Sequence, residues 1–245
     1  MITILSPAKR MAFDIGPVTQ SEPQFLIQAR ELAGYLRNYE PGPLADVLKT
    51  SAALATQAFM DYQDMDMSAP GTAALFAYRG LVFSALDADS FNQGQLDFAQ
   101  AHLRILSGFY GLLRPLDGIH PYRLEMGHSL PEAGGSLYNY WGDRIARALF
   151  AEEDTVLNLA SVEYAKAVLP YTPAGGRVIT CEFYRMHRGR WKIITTDAKR
   201  TRGLMARWIL QEAIDRPEDI TGFTLEGCRF DRERSEPTIY RFFKD

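Results

Sequence analysis

The stretch from His102 to Gly127 constrains the fold most, because its four glycines and two prolines allow few backbone paths. They exclude a long helix and an ordinary two-residue hairpin. Apolar residues such as those of Leu103–Leu106 would hold this path against a core. The polar residues that follow are then candidates for a site on a rigid loop. The alternative is a structural loop in which Arg123 and Glu125 only pair with each other.

Length and composition set the class of protein. The chain has 245 residues, of which 47% are hydrophobic and 23% charged, and we expect one domain over 1–245. Cys181 and Cys228 are far apart and lack metal-ligand spacing, which is typical of a reducing compartment. There is no signal-peptide pattern and no apolar run of about 20 residues. The sequence therefore predicts a cytoplasmic protein that does not contact a membrane.

Charge is unevenly distributed along the chain. The net charge is −3, yet residues 185–209 carry eight basic side chains and one acidic side chain, a local surplus of seven. Solubility does not require such a concentration, whereas an anionic partner would favour it.

The N-terminal segment predicts a strand with polar residues after it. Ile2–Leu5 is apolar, and Pro7 cannot donate to a sheet ladder, so the strand ends there. Ser6, Lys9 and Arg10 then follow the carboxyl end of a strand, where open α/β sheets commonly bind ligands. The alternative is a surface loop with a solvated lysine.

A helical corner is predicted around Lys49. Short helices at 44–48 and about 52–62 flank it, and Ser51 is placed to cap the second. Exposed amides at that helix start, with Lys49 beside them, could bind a phosphate as in a helix-hairpin-helix. The usual glycine-rich hairpin is absent, so an ordinary capped corner is the alternative.

Other segments have clearer periodicities. We expect a helix at 23–38, strands at 75–78 and 103–106, a helix at 137–149, a strand at 155–159, a helix at 162–168, an antiparallel hairpin of 177–183 with 190–196, and a further strand in the tail after 217.

The last helix is predicted over about 201–213, with Leu204, Met205, Trp208 and Ile209 on its core face. Lys199 and Arg200 would then lie at its N-terminus, and Arg202 and Arg207 would flank the core face. Cations at a helix N-terminus cost about 0.3–1 kcal/mol each, and a bound anion would reverse that sign. The alternative is pairing with acidic loops elsewhere in the chain.

Common catalytic and cofactor motifs are missing. The sequence contains neither of the common nucleotide-binding loops, G-x-x-x-x-G-K-[ST] and G-x-G-x-x-G. It also lacks the H-E-x-x-H and G-x-S-x-G motifs. We therefore predict no cofactor and no metal site. If the chain is an enzyme, the candidate catalytic residues are Lys9, Tyr122, Arg123 and Glu125, and Lys166 and Lys199 could belong to the same polar group. Glu125 could act as a base and Lys9 as an electrophile.

Several stretches together resemble the bacterial YaaA peroxide-stress family. They are I-L-S-P-A-K at 4–9, R-I-L-S-G-F-Y-G-L-L-R-P-L-D at 104–117, P-Y-R-L-E-M-G at 121–127, N-L-A-S-V-E-Y-A-K at 158–166 and R-G-L-M-A-R at 202–207. Two motifs depart from the family pattern. The Lys-Ile-Ser corner is Lys49-Thr50-Ser51 here, and Lys-Lys-Ala-Arg-Gly is replaced by the residues of 199–203.

The resemblance implies an α+β fold in which helices wrap a central mixed sheet, with a helix-hairpin-helix-like element. It also implies a basic cleft that binds duplex or locally unpaired DNA with little sequence specificity. The implied role is protection against hydrogen peroxide, with less free intracellular iron and less DNA damage. The positions that match the implied binding role are Lys9, Lys49, Ser51, Arg123, Lys199, Arg202 and Arg207, and Arg200 joins them on charge alone.

Two functions therefore stay open. One is a DNA-binding protein of oxidative-stress defence. The other is an enzyme that acts on a phosphorylated or other anionic small substrate in the same cleft. An open groove would favour the first and a closed pocket the second. The sequence does not decide the oligomeric state.

Overall fold

A computed structural model of the chain describes residues 1–13, 19 and 21–245. The strands are β1 Ile2–Leu5, β2 Arg10–Met11, β3 Thr72–Ala73, β4 Tyr78–Arg79, β5 Leu103–Ser107, β6 Gly111–Leu113, β7 Gly118–Ile119, β8 Ser129–Leu130, β9 Gly135–Ser136, β10 Thr155–Asn158, β11 Arg177–His187, β12 Arg190–Lys192, β13 Arg229–Phe230 and β14 Ile239–Lys244. The α-helices are α1 Leu26–Arg37, α2 Pro41–Val47, α3 Ala52–Asp64, α4 Ala74–Ala77, α5 Leu81–Leu86, α6 Gln93–His102, α7 Leu137–Trp141, α8 Arg144–Glu152, α9 Val162–Ala165 and α10 Thr195–Gln211.

The predicted fold class, a central mixed sheet with helices around it, is confirmed. The sheet runs in the order β13-β14-β11-β10-β1-β5-β6, and β12 pairs with β11. Strands β14, β11, β10, β1 and β5 are parallel, whereas β6, β12 and β13 are antiparallel to their neighbours. The carboxyl ends of five strands therefore share one edge of the sheet, which is where α/β sheets place ligands.

The centre of the sheet is buried on both faces. Every residue of β1 and β5 is buried, as expected for parallel strands covered by helices. One hydrophobic cluster extends from Met1 to Phe242. Cys181 and Cys228 are buried in this interior as free thiols. The described residues contain no helix that is both long and apolar enough to span a bilayer.

The glycine-rich stretch begins with the predicted strand, β5, and then turns into a second short strand, β6. A Cβ on Gly108 would lie 2.6 Å from the Leu124 carbonyl oxygen and 2.8 Å from the Glu125 carbonyl carbon. Only glycine therefore lets the later loop pack on the end of β5. The Trp141 indole N–H donates to the Gly108 carbonyl at 2.9 Å and holds the turn. A rigid support for residues 122–125 follows from these contacts.

Three local predictions were wrong in type or length. Residues 74–77 form the short helix α4 rather than a strand, because four buried apolar residues in a row carry no period that separates the two. The helix predicted over 137–149 breaks into α7 and α8, since Gly142 takes a φ of 51°. Helix α9 ends at Ala165, three residues earlier than predicted.

The start of the last helix was also wrong. Helix α10 begins at Thr195, and Asp197 lies in its first turn, where a carboxylate complements the helix dipole. Its buried face continues backward from Met205 through Thr201 to Ala198. Such small residues contribute little to a hydrophobic pattern, so the sequence hid this part of the helix. Lys199 therefore lies in the second turn, away from the free N-terminal amides.

Helices α2 and α3 meet at a tight corner. The Lys49 and Thr50 amides donate to the Asp46 and Ala45 carbonyls, at 3.3 and 3.0 Å, which is the Schellman pattern. Lys49 occupies the left-handed position of that motif, with φ of 47°. Ser51 caps α3 by accepting from the Leu54 amide, as predicted. That this corner acts as a helix-hairpin-helix stays a prediction.

Candidate functional site

A cavity of about 600 Å³ opens at the carboxyl edge of the parallel strands. Its floor comes from the residues after β1 and β10, including Ser6 and Leu159. One wall is the start of α5 and one face of α10, and the opposite wall is the loop 122–125. The site therefore lies where Pro7 led us to expect a ligand site.

Basic side chains outnumber acidic ones around this cavity. The cations that line it are Lys9, Arg10, Arg79, Arg123, Lys199 and Arg202, and the carboxylates are Glu125 and Glu163. Six positive charges against two negative ones leave a local surplus of four in the described lining. In a partly enclosed cavity such charges create a strong positive field, because little water separates them.

Lys9 and Glu125 form an ion pair within the lining. Lys9 Nζ lies 2.7 Å from Glu125 Oε2, and the lysine side chain is 65% exposed. The amide of Glu125 donates to His128 Nδ1 at 3.1 Å, which requires that nitrogen to be unprotonated. Burial lowers the pKa of His128, and the cations Lys49, Lys9 and Arg123 lower it further, against an opposing effect from Glu125. His128 is therefore neutral at physiological pH.

Arg123 is positioned through its backbone. The Tyr62 hydroxyl, which α3 carries into the core, donates to the Arg123 carbonyl at 2.9 Å and accepts from its amide at 3.1 Å. The side chain is free of this clamp, and its buried Nε has no hydrogen-bond partner among the described residues. A buried guanidinium donor without a partner costs free energy that a bound anion would recover.

Arg202 reaches the cavity from α10 in a similar state. Its Nε is also buried, and the described chain supplies it with no partner. Burial lowers the pKa of Arg202, and the nearby Cys181 opposes this only in part. Helix α10 comes this close to α5 because Gly203 lacks a Cβ, which would lie 2.1 Å from the Val82 carbonyl oxygen. Two arginines with unused buried donors thus face one cavity.

Tyr122 is held by a buried hydroxyl chain. Its Oη lies 2.6 Å from Tyr78 Oη and 2.8 Å from Ser107 Oγ. Ser107 Oγ already accepts the amides of Phe109 and Tyr110, so its own proton points to Tyr122. Burial raises the pKa of Tyr122 to about 12. The phenol therefore stays protonated near pH 7 and is better suited to positioning than to accepting a proton.

The floor of the cavity is tied together across the sheet. The Ser161 amide donates to Ser6 Oγ at 2.8 Å, which links the loop after β10 to the loop after β1. Glu163 Oε1 accepts from the Gly127 amide at 2.9 Å. One carboxylate oxygen of Glu163 is thereby used in holding the loop, and the residue also lines the cavity.

The predicted binding residues divide into two groups. Lys9, Arg123, Lys199 and Arg202 line the cavity, and Lys49 lies close enough to influence His128 beside them. Arg200 instead pairs with Glu226, with Nε 2.9 Å from Oε1. Arg207 pairs with Asp87 at 3.1 Å on another face. Carboxylates elsewhere in the chain therefore neutralise part of the charge of residues 185–209, which is the alternative that the sequence left open.

Two cations of the lining were missed from sequence as site residues. Arg10 was assigned only to a loop, and Arg79 was not singled out at all. They lie directly opposite each other in the two-residue pair β2–β4, a like-charge arrangement that is unfavourable without an anion. Strands of two residues carry no periodic signal, so nothing in the sequence brings these arginines together.

Within residues 1–13, 19 and 21–245, no three or more His, Cys, Asp or Glu side chains are placed to hold a metal ion together.

Comparison with known proteins gives a consistent result. The family model described as peroxide stress protein YaaA matches residues 1–234. A UPF0246 protein of Burkholderia mallei (strain SAVP1) is 42% identical over 255 aligned residues, which cover 99% of this chain and 98% of that protein. A UPF0246 protein of Burkholderia pseudomallei (strain K96243) matches with the same identity and coverage.

Proposed function

Because the chain belongs to the family of peroxide stress protein YaaA, we propose that it acts in peroxide defence by binding DNA at the mouth of this cavity. One observation carries the proposal: six cations and two carboxylates line a single cavity in a chain whose net charge is −3. Phosphates dominate the affinity of proteins for DNA, and they are the partner such a surplus suits.

The proposed contact surface consists of Lys9, Lys49, Arg123, Lys199 and Arg202. Lys9, Arg123, Lys199 and Arg202 line the cavity, Lys49 lies close enough to influence His128 beside it, and Ser51 caps the helix that follows Lys49. Arg200 and Arg207 are left out, because their carboxylate partners Glu226 and Asp87 already hold them elsewhere.

Fluorescence anisotropy with a labelled 20-nucleotide strand, a bubble duplex and a matched duplex tests the proposal. With about three to five phosphates contacted, log affinity should fall against log salt with a slope between about −2 and −5. Lys199→Gln should reduce the magnitude of that slope by about one. Arg200→Gln, the neighbouring residue on the other face, should leave it unchanged. Equal effects of both changes, or no salt dependence at all, would refute the assignment.

The proposal also includes a cellular effect, in which the protein helps to lower free intracellular iron. In a strain that lacks this chain, free iron and DNA strand breaks after peroxide should both rise. The wild-type gene should restore both, and Arg123→Met should restore neither if DNA binding is the cause. Whole-cell electron paramagnetic resonance measures the iron. Full rescue of both by Arg123→Met would separate the cellular role from the cavity.

A second candidate is an enzyme for an anionic small substrate, which the partial enclosure of the cavity and the Lys9–Glu125 pair favour. In this scheme Glu125 accepts a proton and Lys9 stabilises developing negative charge. Incubation with a panel of phosphorylated metabolites, followed by ³¹P NMR, tests it. Turnover that Glu125→Gln abolishes would support the scheme, and unchanged spectra across the panel would count against it.

A further inference from the structure

We infer that the cavity binds one nucleoside monophosphate unit, with its phosphate on Arg123 and Arg202 and its base against the apolar wall of α5. The inference rests on the proposed function only for one possible source of that unit, an unpaired nucleotide of DNA. The other possible source is a free mononucleotide. The recognised chemistry, an anionic phosphate joined to a planar base, is the same for both.

The anion part follows from the two orphan guanidinium groups. Arg123 and Arg202 each have a buried Nε without a partner in the described chain, and both line the cavity. A phosphate offers several acceptor oxygens in the geometry that arginine forks match.

The apolar part follows from the wall that α5 contributes, together with the apolar residues beside it. Leu81, Val82 and Phe83 at the start of α5 line the cavity, and Leu124 and Leu159 face it from the loop and the floor. Inorganic phosphate is fully hydrated and gains nothing from such a wall. A nucleobase has an apolar face of this kind and hydrogen-bonding edges besides, and the carboxylates of Glu125 and Glu163 are acceptors for its N–H groups or for sugar hydroxyls.

Size selects the state of the nucleic acid. A volume of about 600 Å³ is in the usual range of small-molecule sites. A DNA duplex is wider than its own major groove, which is about 12 Å across, so a stacked duplex is too wide to enter this cavity. A single nucleotide can, after it leaves the stack at a cost of a few kcal/mol, and that cost is least where the strand is already unpaired.

Calorimetry on the full chain tests the inference without any variant. The ligands are the four 2′-deoxynucleoside 5′-monophosphates, the four nucleosides and inorganic phosphate. At least one nucleotide should bind tenfold more tightly than both phosphate and its own nucleoside. The inference is overturned if phosphate binds as tightly as every nucleotide, which would leave a bare anion site, or if no nucleotide binds.

Matched variants then locate the site. Arg123→Met should weaken nucleotide binding at least tenfold, and its backbone clamp by Tyr62 is untouched by the change. Arg147→Met is the control, since that side chain is 79% exposed on α8 and does not line the cavity. Equal nucleotide affinity in both variants, with native circular dichroism spectra, would overturn the assignment.

Competition distinguishes the two sources and separates this inference from the proposed function. Displacement of a labelled unpaired strand by the nucleotide assigns a nucleotide of the strand as the occupant, and simultaneous binding assigns a free nucleotide. Either result supports the inference. If the strand binds but no nucleotide does, the inference fails and the proposed function stands. If a nucleotide binds but no strand does, the proposed function fails and the inference stands.

Discussion

Replacing Arg202 by methionine should make the chain more stable and its ligand binding weaker. The guanidinium Nε is buried, and no described residue accepts from it. Burial lowers the pKa of Arg202, yet arginine remains charged at neutral pH. In the absence of a ligand the folded state therefore holds a buried Nε–H donor without a partner among the described residues. Methionine has a similar length, fills the same space and carries no donor.

The size of the effect follows from the cost of the orphan donor. An unsatisfied buried polar group costs about 1–3 kcal/mol, and removing it should raise the free energy of unfolding by about that amount. For a chain of this length each kcal/mol shifts the melting temperature by about 2–4 °C. The expected rise in melting temperature is then roughly 2–12 °C. A charge-assisted hydrogen bond is worth about 1.5–3 kcal/mol, so affinity for an unpaired strand should fall roughly tenfold to hundredfold.

Thermal scans and urea unfolding of the ligand-free proteins measure the first effect, and anisotropy measures the second. Arg147→Met should stay within about 0.5 kcal/mol of the parent, because that arginine is exposed and its ion pair with Asp143 is too. A melting temperature several degrees lower for Arg202→Met, with binding unchanged, would show that Arg202 has a structural role. The reasoning about its orphan donor would then be wrong.

Three further changes test the frame around the cavity. Lys49→Gly should raise stability by about 1 kcal/mol, since a non-glycine residue at a φ of 47° is strained, and should lower the salt slope by about one in anisotropy. Gly203→Ala should destabilise the chain by about 1–3 kcal/mol in urea unfolding, because its Cβ would lie 2.1 Å from a carbonyl oxygen of α5; Gly34→Ala, with open space around it, should not. The folded pKa of His128 is lowered, so the unfolded chain takes up that proton first as pH falls, and stability should decline from about pH 6.5 downward. His128→Gln keeps an acceptor for the Glu125 amide and should flatten this decline; an unchanged pH profile of melting temperature would contradict the assignment to His128.

The floor and one wall of the cavity could be predicted from the sequence, because local chemistry determines them. Pro7 ends β1 and so places Lys9 at the carboxyl edge. The glycines of 102–127 require a fixed loop, and Arg123 and Glu125 lie on it. Both inferences need only the backbone rules of proline and glycine. The alternative interpretation, in which Arg123 and Glu125 only pair with each other, was wrong, since Glu125 pairs with Lys9.

The remaining wall of the cavity could not be predicted from the sequence, because contacts between distant segments form it. Arg79 meets Arg10 through a pairing of two-residue strands, which no sequence period reveals. Lys199 and Arg202 share a helical face because they are three residues apart, whereas Arg200 projects about 100° away from Lys199. The sequence contained that angular information. Because the helix was predicted to begin at about residue 201 rather than at Thr195, Lys199 and Arg200 were both assigned to its N-terminus. Their different directions around the helix were therefore overlooked.

Under the proposed function, the contrast between the charge of the whole chain and the charge of its cavity decides which form of DNA the protein would bind. The net charge of −3 repels a duplex at long range, while the lining holds a local surplus of four positive charges. At physiological ionic strength the Debye length is about 8 Å, so the repulsion from the distant surface is largely screened. The cations inside the cavity are partly enclosed and are screened less. If the proposed function is correct, such a chain would attract the phosphates of DNA only where a strand can approach the cavity closely, which an unpaired segment does more readily than a rigid duplex.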